Sequence, residues 1–114
     1  MKVKTRELAG AALDLVVAKC EGLWFEDDTY IHVLHDDDDC LYSTDWAQGG
    51  YIIEREKMHL CPVIVDDKDV WHAWSDYGIS DWRAEGPTPL VAAMRAYVAS
   101  KLGDEVEVLD ELMQ

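Results

Sequence analysis

Apolar residues recur at helical spacing early in the chain, at Leu8, Ala12, Leu15 and Val16, with Lys19 completing the turn. Thr5 is a fitting N-cap, Arg6-Glu7 suits a first helical turn, and Gly22 suits a terminator, so a helix is predicted over about residues 6–20. Residues 29–34 (Thr-Tyr-Ile-His-Val-Leu) are β-branched and aromatic and predict a strand. The four aspartates at 36–39 repel one another and must leave the sheet. Residues 42–50 are turn-rich, and residues 51–57 lack strict alternation, which favours one or two helical turns. Met58–Val65 and residues 70–74 predict strands joined by a hairpin loop at 66–69, while residues 79–83 fit either a short strand or an inserted loop. The pattern is clearest near the end. Gly86-Pro87 breaks the chain, Thr88 caps, Pro89 suits the first helical position, Leu90, Met94, Tyr97, Val98 and Leu102 form an apolar stripe, and Gly103 terminates. Residues 105–108 then alternate like an edge strand, and Gly103 permits the reversal into it. The order predicts an α+β fold, a mostly antiparallel sheet with an N-terminal helix and a helix near the C-terminus packed on it. One compact domain over residues 1–108 and an acidic tail at 109–114 are expected.

Composition narrows the class. The 114 residues suffice for one two-layer core. No stretch approaches a membrane span, since residues 8–17 are interrupted by Gly10 and Asp14. The basic start has no apolar segment and cleavage site after it, which predicts an unprocessed cytosolic chain. Cys20, Cys40 and Cys61 are odd in number and form no CxxC pair, so reduced thiols are expected. The net charge is −14, and from Glu21 to Glu54 there are ten acids and no Lys or Arg. Such a chain repels a long phosphate backbone, so no direct nucleic-acid binding is expected. The charge serves solubility, or meets a basic partner, or mimics a DNA duplex.

Three ordered stretches then carry a resemblance. They are Met1-Lys2-Val3-Lys4-Thr5 through Leu8-Ala9-Gly10-Ala11-Ala12-Leu13-Asp14, the run Ser43-Thr44-Asp45-Trp46-Ala47-Gln48-Gly49-Gly50-Tyr51-Ile52-Ile53-Glu54-Arg55-Glu56, and Gly86-Pro87-Thr88-Pro89-Leu90 through Met94-Arg95-Ala96-Tyr97-Val98-Ala99-Ser100-Lys101-Leu102-Gly103. Together they resemble the NinX-like family of small accessory proteins of lambdoid bacteriophages. That pattern has proline where this chain has Tyr42 and Tyr51, and residues 66–85 do not match it clearly. The resemblance implies a phage accessory protein in the host cytoplasm and implies no settled activity.

The residues offer several candidate sites. Ser43, Thr44, Asp45, Gln48, Gly49 and Gly50 place hydroxyls, a carboxylate, an amide and two glycines beside the Trp46 indole. Proteins recognise nucleosides with such groups: aromatic faces stack the base, polar side chains pair with its edges, and glycines let backbone N–H groups approach phosphate. The plainer alternative is turn hydrogen bonds and an aromatic anchor. Arg55 suits bidentate phosphate binding with Glu54 orienting it, or else belongs to a solvated charged face. Thr88 marks a helix N-terminus suited to an anion or is an ordinary cap, and Arg95 lies about two turns further on. Trp71 and Trp74 fall on opposite faces of a strand, so one of them is free for a pocket or an interface; Trp24, Tyr77 and Trp82 add to the aromatic content.

Metal and enzyme patterns are weak. Asp36, Asp38 and Cys40 do not continue as an EF-hand, because Leu41 and Ala47 occupy the glycine and glutamate positions. His32 and His35 with Cys40, and His59 with Cys61, lack zinc spacing. No GxSxG, HExxH, Walker A or dinucleotide fingerprint occurs. No cofactor or metal is expected. The expectation is a non-enzymatic, homo-oligomeric binder of a small nucleotide-like molecule, sequestering a host defence signal. It requires that Arg55, Arg95 and Lys57 converge to offset the acidity. The alternative is an acidic inhibitor or DNA mimic that blocks a basic partner.

Overall fold

A computed structural model of the chain describes residues 2–21, 41–75 and 83–108. The expected strand at 29–34, the aspartate run at 36–39, Trp24, Tyr77, Trp82 and the tail at 109–114 lie outside the described residues. The element order is β1 (Lys2–Lys4), a single 3-10 turn (Thr5–Glu7), α1 (Gly10–Cys20), α2 (Trp46–Arg55), β2 (Met58–Val65), β3 (Lys68–Ser75), β4 (Arg83–Gly86), α3 (Pro89–Leu102) and β5 (Glu105–Glu107). The fold is α+β, as the pattern predicts. The described strands form two antiparallel sheets, β1–β5 and β2–β3–β4, and α2 joins the two expected helices.

Helix α3 organises the core. Thr88 accepts a hydrogen bond from the Val91 N–H at 3.1 Å, and Pro89 opens the helix where a missing donor does no harm. Leu90, Ala92, Ala93, Met94, Ala96, Tyr97, Val98 and Ala99 are all buried, on nearly every side of the helix. A helix so enclosed lies between layers, and its alanines let neighbours come close. Leu13, Val16 and Val17 of α1, Ile52 of α2 and Ala73 of β3 complete the core around it. Of the expected stripe, Leu102 departs, being 49% exposed beyond the last packed turn.

The N-terminal helix starts later than the sequence predicts. Thr5 does not cap it. Its hydroxyl donates instead to the Gly103 carbonyl at 2.6 Å, and its N–H donates to Asp104 O at 2.7 Å, tying β1 to the start of β5. Residues 5–7 form only the 3-10 turn, and α1 begins at Gly10, whose φ of 56° suits glycine. Likewise α2 begins at Trp46 rather than after Gly50. Asp45 caps it by accepting from Ala47 N–H at 2.9 Å, so of the stretch that looked turn-forming residues 42–44 are a turn, and residues 45–50 are the cap and the start of the helix.

The β2–β3 hairpin closes on two residues, Asp66 and Asp67, with φ values of 51° and 63°. Two left-handed residues give the turn that matches strand twist, so Lys68 and Asp69 already belong to β3. Val65 pairs with Lys68 next to the turn, and Pro62 pairs with Trp71 three steps back. Hydrogen-bonded and non-bonded pairs alternate. Pro62 therefore falls at a non-bonded pair, its nitrogen facing away from β3, on the side of β2 that pairs with no strand among the described residues. An edge proline interrupts pairing with another strand. Trp71 faces the core and Trp74 the opposite side, as their odd spacing predicts.

Candidate functional site

The segment 43–56 does lie against the start of α3, and the seam is filled. A Cβ on Gly49 would sit 2.3 Å from the Tyr42 carbonyl oxygen and 2.6 Å from Leu90 Cδ2. Glycine at this position lets α2 press onto the turn before it and onto α3. Ser43 is buried and its N–H donates to Asp14 Oδ1 at 2.8 Å, while its hydroxyl has no partner among the described residues. Asp45 is a cap, and Gln48 accepts from Leu41 N–H at 2.8 Å. Thr44, Trp46 and Glu54 are exposed, and Gly50 is half-buried on the outer side of α2. Thr88 is engaged as the cap of α3.

Arg55 is the most heavily engaged of these residues. It forms a bidentate pair with Glu21, with Nη1 and Nη2 at 2.7 and 2.6 Å, and its Nε donates to Glu56 at 2.9 Å. Nη2 also reaches the Tyr97 hydroxyl at 3.1 Å, and the guanidinium lies over the Tyr51 and Tyr97 rings. Tyr97 donates a short hydrogen bond to Glu21. Hydrogen bonds from Arg55 hold the Glu21 carboxyl below the usual range, and Arg55 is correspondingly raised. The expected convergence with Arg95 does not occur. Arg95 and Tyr97 are two residues apart on α3, roughly 200° around the helix. The two guanidiniums are thereby directed to different sides.

Arg95 instead enters a cleft of about 430 Å³ lined by Lys4, Thr5, Arg6, Arg83, Ala84, Arg95, Ala99, Asp104 and Glu105. The β1–β5 ribbon and 3-10 turn supply Lys4 and Arg6, β4 supplies Arg83, and α3 supplies Arg95. Four of the chain's ten Lys and Arg residues thus share one cavity. Arg95 is held by neutral acceptors, Nε to Leu8 O at 2.8 Å and Nη1 to Glu85 O at 2.9 Å. Burial disfavours its charge. Arg83 lies over the Trp74 ring at 5.1 Å, and Trp74 stacks on His59 at 5.2 Å. None of Lys4, Arg6, Arg83 and Arg95 forms an ion pair among the described residues, although the chain holds 24 acids. Sequence reasoning picked out Arg95 and passed over Lys4, Arg6 and Arg83, which are scattered along the chain and carry no local motif.

A second cavity of about 530 Å³ lies between the ends of α1 and α3, against β5, with Val16, Lys19, Cys20, Lys101 and Leu102 in its wall. Burial pushes the Cys20 thiol up to about 11, so at neutral pH it is protonated and a poor nucleophile. Cys61 is exposed and free. Among the described residues no group of three or more His, Cys, Asp or Glu is arranged to hold a metal ion, and no helix is long and apolar enough to cross a membrane.

A search of curated proteins finds no match to the chain. The family model described as bacteriophage P22 NinX matches residues 4–101, which runs from the last residue of β1 to the last turn of α3 and includes the four cleft cations. The match covers most of the 114 residues, and the chain belongs to the bacteriophage P22 NinX family.

Proposed function

We propose that this phage accessory protein is a non-enzymatic binder of a small, phosphate-bearing, nucleotide-like molecule, held in the cleft between β1, β4 and α3. The observation that carries the proposal is the set of four cations, Lys4, Arg6, Arg83 and Arg95, which share one cavity with two carboxylates and form no ion pair among the described residues. Four cations against two carboxylates leave the cleft positive, and an anion that enters relieves the repulsion among the cations. Guanidiniums suit phosphate because their planar N–H groups bond its oxygens in pairs. Carbonyls hold Arg95 in place and Trp74 supports Arg83, so little ordering remains for binding to impose. Asp104 and Glu105, beside Lys4 and Thr5 on the β1–β5 ribbon, can accept hydrogen bonds, which suits the hydroxyls or amines of a nucleoside. The volume falls in the range of small-ligand sites, roughly 300–1,000 Å³. In an infected host such a protein acts by stoichiometric sequestration of a nucleotide defence signal.

Calorimetry and thermal shift with linear and cyclic nucleotides test this reading. At least one nucleotide is expected to stabilise the protein, and the Arg6→Ala, Arg83→Ala double variant to lose tenfold or more in affinity. Ligand recovered intact after denaturation supports sequestration, and ligand recovered as product establishes an enzyme. A panel without any stabilising nucleotide overturns the reading.

A further inference from the structure

Three side chains on the face of the β2–β3–β4 sheet away from α3 form a layered column. His59, Trp74 and Arg83 are register partners on β2, β3 and β4, so they leave the sheet side by side. Neighbouring strands lie roughly 4.8 Å apart, a spacing that suits planar groups laid flat against each other. The His59 and Trp74 rings are within 5° of parallel with centroids 5.2 Å apart. The Arg83 guanidinium carbon lies 5.1 Å from the centre of the Trp74 ring. A guanidinium in this position is attracted by the negative face of the indole.

The column ends at the cleft. Among the described residues β4 pairs with β3 alone, so the edge beyond Arg83 carries no further strand. Arg83 and Ala84 leave opposite faces of β4, yet both line the cleft, so the cavity opens along that edge. The layer that would follow His59, Trp74 and Arg83 therefore falls in the cleft. Arg83 is exposed, with the indole on one side and the cleft on the other.

A nucleotide brings a planar base as well as a phosphate, and no aromatic ring is among the described residues of the cleft wall. Bases also stack on the planes of arginines. Among the three arginines of the cleft, Arg95 is committed to the Leu8 and Glu85 carbonyls, whereas Arg83 has its plane backed by a ring. Resting on the reading of the cleft as a nucleotide site, we propose that Arg83, backed by Trp74 and His59, is the platform on which the base of the nucleotide stacks. Lys4, Arg6 and Arg95 then take the phosphate. The cleft selects nucleotides over phosphates that carry no base, and Arg83 sets that selection.

The test titrates the full-length protein with linear and cyclic monophosphates of adenosine, guanosine, cytidine and uridine, and with ribose phosphate, which lacks the base. At least one nucleotide is expected to bind roughly tenfold or more tightly than ribose phosphate, as one base stack provides. Arg83→Lys keeps the charge and loses the plane. It should bring that nucleotide to within about threefold of ribose phosphate while leaving the ribose phosphate affinity within about twofold of wild type. Trp74→Leu removes the backing and should lose most of the preference, and Trp74→Phe keeps a ring and should retain much of it. If Trp74→Leu does not fold, Arg83→Lys decides alone. A preference for the base that survives Arg83→Lys overturns the inference. An equal loss for nucleotide and ribose phosphate does so too, because it makes Arg83 a phosphate ligand. Ribose phosphate bound as tightly as every nucleotide also overturns it, with the cleft still an anion site. If no probe binds, the cleft reading itself fails and this inference with it, so the two failures are told apart.

Discussion

Asp14 sits inside α1 with 4% of its surface exposed, where a carboxylate needs a specific reason to be. Its reason is the Ser43 N–H, which it accepts at 2.8 Å, fixing the turn that leads into α2. Burial raises its pKa above the usual 3.8, and the contacts with Ser43 pull part of the way back. Between the unfolded and folded pKa values the native state holds more protons than the unfolded chain, so this group's contribution to stability falls as pH rises through that window. Glu21 has the opposite sign. Its lowered pKa gives stability that is present above the unfolded value and is lost as pH falls through the folded one. Asp14→Ala leaves the Ser43 N–H unpaired and is expected to lose about 1–3 kcal/mol at neutral pH. Asp14→Asn keeps an acceptor and should lose less. With the Asp14 contribution gone and that of Glu21 intact, the asparagine variant should fall further behind wild type as the solution is acidified. Urea melts across roughly pH 3 to 7 check this, and a constant difference would mean that Asp14 does not titrate on folding.

Helix α2 ends on a residue the sequence does not advertise. Lys57, just past the cap Glu56, has φ 53°, a left-handed position where glycine is favoured. Lys57→Gly is expected to stabilise the fold by about 0.5–1 kcal/mol, seen as a rise in melting temperature, and Lys57→Val to lower it. Gly103 shows the contrasting case. With φ 88° it ends α3 in a glycine conformation, and the end of that helix was legible for this reason. Its start was legible from Thr88 and Pro89. Strand β2 and the centre of β3 were legible from β-branched and aromatic runs. What misled were residues with two chemical uses. Thr5 is a good cap by type, but the Gly103 carbonyl recruits its hydroxyl across the fold. Gly49 and Gly50 suggest a turn, but both lie inside α2, where Gly49 is demanded by the close approach of Tyr42 and Leu90 and a Cβ on Gly50 would meet the Trp46 ring at 3.6 Å. Local propensity cannot express the conditions at Thr5 and Gly49, because both depend on elements distant in sequence.

Charge marks the whole molecule, and among the described residues the cleft gathers four cations of an acidic chain. Arg55 and Arg95 were legible as possible phosphate ligands, but tertiary structure assigned them different work. Arg55 is neutralised by Glu21 and Glu56, whereas Arg95 is held by carbonyls beside three more cations. That grouping needs β1, β4 and α3 together, so no window of sequence contains it. Two distinct salt responses follow. Sodium chloride screens the self-repulsion of a −14 chain and should raise the melting temperature gradually. Phosphate at the same ionic strength should do this and add a saturable increment, because an anion that binds only the folded state stabilises by RT ln(1 + [L]/Kd), about 1.4 kcal/mol at tenfold excess over Kd. In the Arg6→Ala, Arg83→Ala variant the starting melting temperature can move either way, since removing two cations relieves crowding in the cleft but increases the net negative charge. The chloride response should persist because it belongs to the surface as a whole, and the phosphate increment should vanish because it belongs to the cleft. Identical responses to the two salts in the wild-type protein would mean that the four cations do not act together on an anion.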